Sequence, residues 1–227
     1  MPLKVAIMQP YYFPYLGYYR LFASVDLFVV LDCVQFPRRG WVHRNQMSDH
    51  RGQTQWITLP LSKGPQAETL ICDLAFPPDA QQRMQEQYRR FPCLAELEQR
   101  LPDLAMVMNE LGNKTPVQYL MDCLDWICHF LGVRRPMMLA SELRVPDTLH
   151  AQDRIIEIAR RVAATDYINA PGGRLLYDTE AFAAAGLNLQ FLPDYQGSYV
   201  SILERVLTEP LEGIREELSR NLVTRGR

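Results

Sequence analysis

The chain has 227 residues, of which 48% are hydrophobic and 22% charged, and its 24 basic and 26 acidic residues give a net charge of −2. This composition is typical of a globular protein with a substantial core, and we expect one domain over residues 1–227. The nearly balanced charge excludes a general electrostatic attraction to nucleic acid. We therefore expect a small-molecule substrate and no nucleic-acid partner.

No run of about 18 apolar residues is present, which a membrane-spanning helix would need. Pro10 and Pro14 interrupt the region where a signal peptide would have its apolar stretch. We therefore expect a cytoplasmic protein with no membrane partner. The cysteines are an odd number without a C-x-x-C pair or histidines at ligand spacing, which favours reduced thiols over a metal site. They are Cys33, Cys72, Cys93, Cys123 and Cys128.

The first half of the chain begins with a strand, an aromatic loop, a helix and a second strand. "LKVAIMQ" predicts a strand that Pro10 ends, "GYYRLFASV" a short helix beginning near Gly17, and "DLFVVLD" a strand covered on both faces. This βαβ pattern predicts two parallel strands. A long polar connection from Gln35 to Lys63 ends in a strand at "QWITLPL". "ETLICDLAF" then predicts another strand, and "PPDAQQRMQEQYRRFPCLAELEQRL" predicts two helices broken at Pro92.

The second half contains the clearest helix, "TPVQYLMDCLDWICHFLG", with Thr115 as its N-cap, Pro116 in its first turn and Gly132 at its end. The sequence next predicts a strand at "RPMMLASEL", a helix at "AQDRIIEIARRVA", a strand at "DYIN" and a Pro-Gly-Gly turn. A helix at "TEAFAAAG", a strand at "LNLQFLP" and a helical segment broken near Pro210 follow. This alternation predicts an α/β fold with a mostly parallel sheet flanked by helices, and a mainly helical middle and C-terminal part.

Polar and aromatic residues follow three of these strands, and the carboxyl ends of parallel strands are where ligands bind. We therefore expect the three clusters to lie at one edge of the sheet. In the first cluster, the aromatic loop is expected to stack a planar or sugar group, and the helix N-terminus at Gly17 to attract an anion. The alternative is that the tyrosines pack against neighbouring loops. The predicted binding residues are Gln9, Tyr12, Tyr15, Gly17 and Tyr18.

The second cluster, "LDCVQFPRRGWVHRNQM", combines a carboxylate with several guanidinium groups and an indole. Asp32 and His43 are the predicted catalytic residues, since either side chain can exchange a proton with a substrate. Cys33 is a further candidate as a nucleophile, with His43 as its only assignable base. Arginine side chains match carboxylate and phosphate groups, so an anionic substrate is expected. The predicted binding residues are Gln35, Arg39, Trp41, Arg44 and Asn45.

The third cluster, "NAPGGRLLYD", contains the Pro-Gly-Gly turn. It lacks the G-x-G-x-x-G spacing and the Lys-Ser/Thr ending of known phosphate-binding loops, so it is either a binding loop or a structural turn. Its predicted binding residues are Asn169, Gly172, Gly173 and Tyr177. The sequence identifies neither a cofactor nor a set of metal ligands.

The chain resembles the WbqC-like proteins in "VAIMQPYYFPYLGYYRL", "DLFVVLDCVQFPRRGWVHRN", "RIIEIARRVAATDYINAPGGRLLYD" and "FAAAGLNLQFL", which occur in the family's order over most of its length. The resemblance implies a cytoplasmic protein of polysaccharide and O-antigen biosynthesis that transfers an aminoacyl group, such as glycine, to an amino sugar. It also leaves an acyl or aminoacyl carrier protein as a candidate partner. The chain departs from the family pattern at Cys33, where a second carboxylate is usual, and at His43, where asparagine is usual.

"VAIMQPYYFPYLGY" is also similar to the first strand and loop of H-x-G-H adenylyltransferases, with tyrosines at both histidine positions. That similarity implies an adenylyltransferase-like, Rossmann-like core and a nucleotide approaching Gly17. Three hypotheses follow: a transferase forming an amide bond between an activated acyl group and an amine, a nucleotide-dependent ligase or nucleotidyltransferase, and a non-catalytic binding protein in a biosynthetic assembly.

Overall fold

The computed structural model describes residues 2–62, 69–220 and 222, and within them five strands form a parallel sheet. The strands are β1 Lys4–Met8, β2 Leu27–Val30, β5 Met137–Leu139, β6 Asp166–Asn169 and β7 Asn188–Phe191. Two further strands, β3 Arg44–Ser48 and β4 Thr54–Thr58, form a separate antiparallel hairpin.

The order of strands across the sheet is β5-β2-β1-β6-β7, and every neighbouring pair is parallel. The chain moves outward from β1 through β2 to β5, then returns to the other side of β1 with β6 and β7. This is the order of a Rossmann-like, doubly wound sheet, and its direction reverses between β1 and β6. Crevices at the carboxyl ends of such strands are where α/β proteins bind ligands.

Helices cover both faces of the sheet. They are α1 Leu16–Ser24, α2 Ala80–Tyr88, α3 Leu97–Arg100, α4 Pro102–Asn109, α5 Pro116–Leu131, α6 Ala151–Arg161, α7 Thr179–Ala184, α8 Ile202–Thr208 and α9 Leu211–Arg220. Alternate strand residues enter two cores, because successive side chains of a strand point to opposite faces. Ala6 and Phe28 join the core that contains α1 and α5, whereas Val5 and Val29 join the core that contains α6 and α7.

Local sequence signals account for the best-defined helix, α5. Thr115 accepts a hydrogen bond from the backbone N–H of Gln118, and the Gln118 side chain accepts one from the backbone N–H of Thr115. This capping box satisfies N–H groups that the helix itself leaves free. At the other end, Gly132 has φ 79°, a left-handed conformation that glycine adopts without strain. The predicted caps of this helix are confirmed.

The prediction of a strand at "ETLICDLAF" is wrong for residues 69–76. Its first residue, Glu68, lies outside the residues that the structure describes. Ile71–Asp73 is a short 3-10 helix, and the only strand-like pairing there is a single bridge between Gln35 and Leu70. Within residues 69–73, the chain instead follows the connection after β2: Phe36 N–H donates to Thr69 O (2.8 Å) and Cys72 N–H to Asp32 O (2.9 Å). An alternating sequence becomes a ladder only where a partner strand is in register, and here the partner is an irregular loop.

The other predicted strands and helices are present with shifted ends. The polar connection contains a strand that was not predicted, β3, which pairs with the predicted β4. The two C-terminal helices meet at Pro210, as expected. In the described part of the chain, no helix is both long and apolar enough to cross a membrane.

Candidate functional site

The three predicted clusters follow strands that end at the same edge of the sheet. Met8 pairs with Val30 of β2, and Val5 pairs with Tyr167 of β6, so Gln9, Asp32 and Asn169 all come just after strand ends at this edge. Gln9 and Asn169 flank the point between β1 and β6 where the strand order reverses. The fold thus brings together residues that are more than 100 positions apart in the sequence.

The aromatic loop after β1 is fixed by contacts from two distant segments. The Nδ2 group of Asn45, in β3, donates to the carbonyl oxygens of Tyr12 (2.9 Å) and Phe13 (2.6 Å). Ser201 Oγ also donates to the Phe13 carbonyl, at 2.9 Å. Phe13 has φ 45°, a left-handed conformation that costs free energy for a phenylalanine and persists only where its surroundings enforce it. Asn45 therefore shapes this loop through buried hydrogen bonds.

Most of the tyrosines in this loop and in α1 pack inside the protein. Tyr12 and Tyr18 are 1% and 4% exposed, and the Tyr18 hydroxyl donates to the Gln9 carbonyl at 2.7 Å. Burial raises the pKa of both phenols, so both stay protonated at neutral pH. Tyr15 is only half-buried. Among these three predicted binding residues, Tyr15 is thus the one most open to a ligand, and the contact of all three with substrate stays a prediction.

Gly17 creates room for two aromatic rings. A Cβ atom at this position would overlap Cε2 of Tyr15 and lie 2.9 Å from Cγ of Tyr195. The space beside the helix N-terminus, through which the adenylyltransferase similarity implies that a nucleotide approaches, is therefore occupied by tyrosine rings. A nucleotide would have to displace both rings to reach the backbone of Gly17.

The Pro-Gly-Gly turn after β6 is arranged around Asn169, which is 4% exposed. Its Oδ1 accepts a hydrogen bond from the backbone N–H of Ala170 at 2.7 Å, and its Nδ2 occupies the place that a Cβ of Gly173 would take. Gly172 is exposed with open space around it. Tyr177 packs edge-on against Tyr167, with ring centroids 5.9 Å apart. Gly173 and Tyr177 thus have clear structural roles, and only Gly172 faces open space.

Asp32 is fully buried, and both of its carboxylate oxygens accept hydrogen bonds from Ser141. The Ser141 backbone N–H donates to Oδ1 at 2.8 Å, and the Ser141 hydroxyl donates to Oδ2 at 2.6 Å. These bonds join the end of β2 to the turn after β5. Because Asp32 is fully buried, a substrate reaches it only if its surroundings move, whereas its structural role follows directly from the contacts.

Cys33 is half-buried beside Asp32, and its carbonyl oxygen accepts a hydrogen bond from Arg154. Burial raises the pKa of the Cys33 thiol, and the effect of Arg154 in the opposite direction is smaller. The thiol is therefore protonated at neutral pH, which makes it a poor nucleophile.

Four further residues of the second cluster lie in or before the hairpin, and three of them are exposed: Gln35, Arg39 and Trp41, with Arg44 half-buried. The Arg44 guanidinium carbon lies 4.1 Å from the centre of the Trp56 ring, and the Trp41 and Trp56 rings are 5.5 Å apart. Arg39 is exposed in the turn before Trp41. Gln35 is also exposed, and its backbone forms the bridge to Leu70. Arg44 and the two indoles thus form an exposed stack, separate from the cleft described next.

His43 lines a cleft of about 500 Å³ between the hairpin and residues 69–75. The cleft is lined by Phe36, Arg38, His43, Thr58, Leu59, Pro60, Leu61, Ser62, Thr69, Asp73, Leu74 and Ala75. We call it the His43 cleft. Its volume is in the range of clefts that bind small molecules, and its lining combines apolar walls with a few polar groups. Arg38 is one of the guanidinium groups of the second predicted cluster, whereas Asp73 was not predicted, because the fold of residues 69–75 over the hairpin gives no signal in the sequence.

The His43 ring is in its neutral form at neutral pH. Burial, with a smaller contribution from the charge of Arg44, lowers the pKa of His43 from 6.5 to about 4. Its Nδ1 atom is shielded from water and has no hydrogen-bond partner within the residues that the structure describes. An unpaired nitrogen on a ring with a shifted pKa is a common feature of functional sites.

The shifted pKa of His43 predicts a dependence of stability on pH. As the pH falls from 6.5 to about 4, the unfolded chain binds a proton at His43 before the folded protein does, so folding becomes less favourable. Water screens part of this effect because the ring is only half-buried. Between neutral pH and about pH 4, we expect the wild type to lose on the order of 2 kcal/mol more unfolding free energy than His43→Gln. Urea unfolding at several pH values measures this difference, and equal losses in the two proteins would contradict it.

No group of three or more His, Cys, Asp and Glu side chains within residues 2–62 and 69–220 is placed to bind a metal ion. The polar groups of the His43 cleft are instead an imidazole, a guanidinium, a carboxylate and hydroxyl groups. These groups suit proton transfer and the binding of charged organic substrates.

Comparison with known proteins gives the same family as the sequence motifs. Residues 9–203 match the model of the WbqC-like protein family. A curated relative, Uncharacterized protein Rv1507c of Mycobacterium tuberculosis, is 27% identical over 199 residues, which cover 86% of this chain and 83% of the relative. No solved structure matches the chain. The span matched by the family includes the aromatic loop, the His43 cleft and the Pro-Gly-Gly turn.

Proposed function

Because this chain belongs to the WbqC-like protein family, we propose that it is a transferase that joins an activated acyl or aminoacyl group to the amine of a small acceptor, such as an amino sugar. The observation that carries the proposal is the neutral His43, with its unpaired Nδ1, in a cleft that Arg38 and Asp73 also line. The similarity of the sequence motifs to proteins of polysaccharide biosynthesis supports the choice of acceptor.

In the proposed reaction, the amine nitrogen attacks the carbonyl carbon of the activated acyl group. Before this attack, His43 takes one proton from the ammonium form of the acceptor, which frees the lone pair of the nitrogen. After the attack, the bond from the carbonyl carbon to the leaving group breaks, and the leaving group takes the second proton that the nitrogen loses. The Asp73 carboxylate attracts the acceptor in its ammonium form, and a guanidinium such as that of Arg38 stabilises the developing oxyanion. The products are the amide, the released leaving group and a protonated His43, which returns its proton to solvent.

The low pKa of His43 fits this role in a cleft that binds an anionic donor. In the free protein the ring is neutral and ready to accept a proton. A negatively charged donor in the cleft stabilises the imidazolium and raises the pKa of His43 towards neutrality. The ring therefore becomes a stronger base when the donor is bound.

The test is an amide-forming assay with the phosphopantetheine thioester of glycine, whose phosphate makes it an anionic donor, and glucosamine as acceptor, with mass spectrometry of the product. We expect His43→Gln to lower the rate roughly tenfold or more. His50→Gln is the matched control, since His50 is exposed and its ring bonds to the Arg89 carbonyl, away from the His43 cleft. N-acetylglucosamine, which lacks the free amine, should give no product.

Equal rates for the wild type and His43→Gln would contradict the assignment of His43. Calorimetric titration with ATP and AMP tests the ligase hypothesis separately, because the proposed transfer requires no nucleotide. The rings of Tyr15 and Tyr195 beside Gly17 lead us to expect no binding of either nucleotide.

A further inference from the structure

Arg20 is a buried cation that forms no ion pair with any of the residues that the structure describes. It lies in the middle of α1, only 1% of its surface is exposed, and one of its terminal nitrogens donates to the Pro193 carbonyl at 2.8 Å. Its Nε is buried and has no hydrogen-bond partner in the described residues. None of the ion pairs among the residues that the structure describes includes Arg20.

The other buried arginines show how this protein usually accommodates such a charge. Arg205 is paired with both Glu209 and Glu217. Arg154 donates to three backbone carbonyl oxygens. Removing a guanidinium from water is unfavourable unless charges or hydrogen bonds replace the water, so Arg20 is the exception that needs an explanation.

Three tyrosines that pack against one another lie near Arg20, and we call them the tyrosine cage: Tyr15, Tyr195 and Tyr199. The Tyr195 ring centre is 5.8 Å from the guanidinium carbon, and the Tyr15 ring centre is 5.3 Å from that of Tyr195 and 4.8 Å from that of Tyr199. Tyr199 is the outermost ring, with 68% of its surface exposed, whereas Tyr195 is buried and its hydroxyl bonds to Glu217.

The nearest acidic side chain on the same segment has another partner. Asp194 is exposed and forms an ion pair with Arg174 at 3.0 Å. Burial lowers the pKa of Arg20 from its usual value, and the nearby tyrosines and Asp194 offset only part of this change. Arg20 still carries its charge at neutral pH.

The cage also lies near the edge of the sheet where ligands bind. Tyr15 immediately precedes α1, and Pro193 and Tyr195 follow β7, so the cage joins the loop after β1 to the loop after β7. β1 and β7 lie on either side of β6, and the strand order reverses between β1 and β6.

We propose that Arg20 binds the phosphate or carboxylate group of a ring-shaped substrate, whose ring stacks in the tyrosine cage when Tyr199 swings outward. The anion gives the buried guanidinium the partner that residues 2–62 and 69–220 do not supply, and charge-assisted hydrogen bonds of this kind are strong. Aromatic faces pack well against sugar or planar rings. This binding site is independent of the chemistry proposed for the His43 cleft.

The test is calorimetric titration with glucose 1-phosphate, glucuronate and glucose. We expect at least one of the two charged sugars to bind and neutral glucose to bind at least about tenfold more weakly. The comparison between the two charged sugars shows whether the site takes a phosphate or a carboxylate. Binding of neither, or binding of glucose as tight as that of the charged sugars, would overturn the proposal.

Arg20→Met removes the charge and keeps an unbranched side chain. We expect it to weaken binding of the charged sugar about tenfold or more, and its urea midpoint to equal or exceed that of the wild type, because an unpaired buried charge is removed. Arg83→Met is the matched control, since Arg83 is an exposed arginine paired with Asp79. Unchanged binding by Arg20→Met, or equal weakening by Arg83→Met, would contradict the assignment.

Tyr199→Ala tests the site without changing a buried residue, and it applies even if Arg20→Met does not fold. The variant keeps the Arg20 charge but loses the outermost ring of the cage. We expect it to bind the charged sugar several-fold more weakly than the wild type does. Unchanged affinity would show that the cage does not hold the substrate ring.

Discussion

Asp32→Ala is expected to lower the free energy of unfolding by about 3 to 4 kcal/mol, since two charge-assisted hydrogen bonds are lost. The carboxylate is fully buried, and Ser141 donates both its backbone N–H and its hydroxyl to it. The alanine variant leaves these two donors without an acceptor and detaches the end of β2 from the turn after β5. Urea unfolding followed by circular dichroism measures the difference.

Two further variants separate the structural role of Asp32 from a catalytic one. Ser141→Ala removes only the hydroxyl donor and should cost about 1 kcal/mol. Asp32→Asn keeps an oxygen that accepts from the Ser141 N–H, so it should remain folded and suit the transfer assay. If Asp32→Ala is within 1 kcal/mol of the wild type, the structural explanation fails. If Asp32→Asn is well folded but inactive, the catalytic prediction is supported.

Asn45→Ala is expected to lower the free energy of unfolding by about 2 to 3 kcal/mol. Its amide group donates to the carbonyl oxygens of Tyr12 and Phe13, and its Oδ1 accepts from the backbone N–H of Gln46. Without these bonds, buried carbonyls lose their donors, and Phe13 is freer to leave its left-handed conformation. Faster amide hydrogen exchange in residues 11–15 should accompany the loss of stability.

The matched variants for Asn45 test hydrogen-bond donation specifically. Asn45→Asp is nearly the same size but places oxygens against the two carbonyls, so it should destabilise the protein at least as much as alanine does. Asn188→Ala removes an exposed asparagine that bonds to Asp166, and should cost about 0.5 kcal/mol. A fully stable Asn45→Asp would show that donation to the loop carbonyls is unimportant.

Asn45 also shows where sequence reasoning about the site is limited. The run of Arg, Trp, His and Asn in the second cluster predicts one binding site, yet its side chains lie in different places. Asn45 points to the loop after β1, Arg44 stacks on Trp56 outside, and His43 lines the cleft. Successive residues of a strand face opposite sides, so Arg44 and Asn45 separate once the hairpin forms, whereas His43 lies just before the strand. Because the sequence does not predict β3, it does not predict which side of the hairpin each of these residues faces.

The predicted aromatic loop gives a second example. Its composition suggested a stacking surface, and the alternative was packing against neighbouring loops. Tyr12 and Tyr18 are buried, whereas Tyr15 joins Tyr195 and Tyr199 in a cluster that the sequence did not indicate. The composition of a loop shows that it is rich in aromatic rings. Whether those rings are buried depends on which distant segments cover the loop.

Local sequence patterns are enough to predict the α/β class, the parallel first unit, the order of most elements and the caps of α5, because apolar periodicity and capping residues act over a few neighbouring positions. Which polar groups meet depends instead on the packing of distant segments. Ser141 reaches Asp32 across 109 positions, and Pro193 reaches Arg20 across 173. Such contacts follow from the strand order and from how the helices pack on the sheet, which local patterns do not encode.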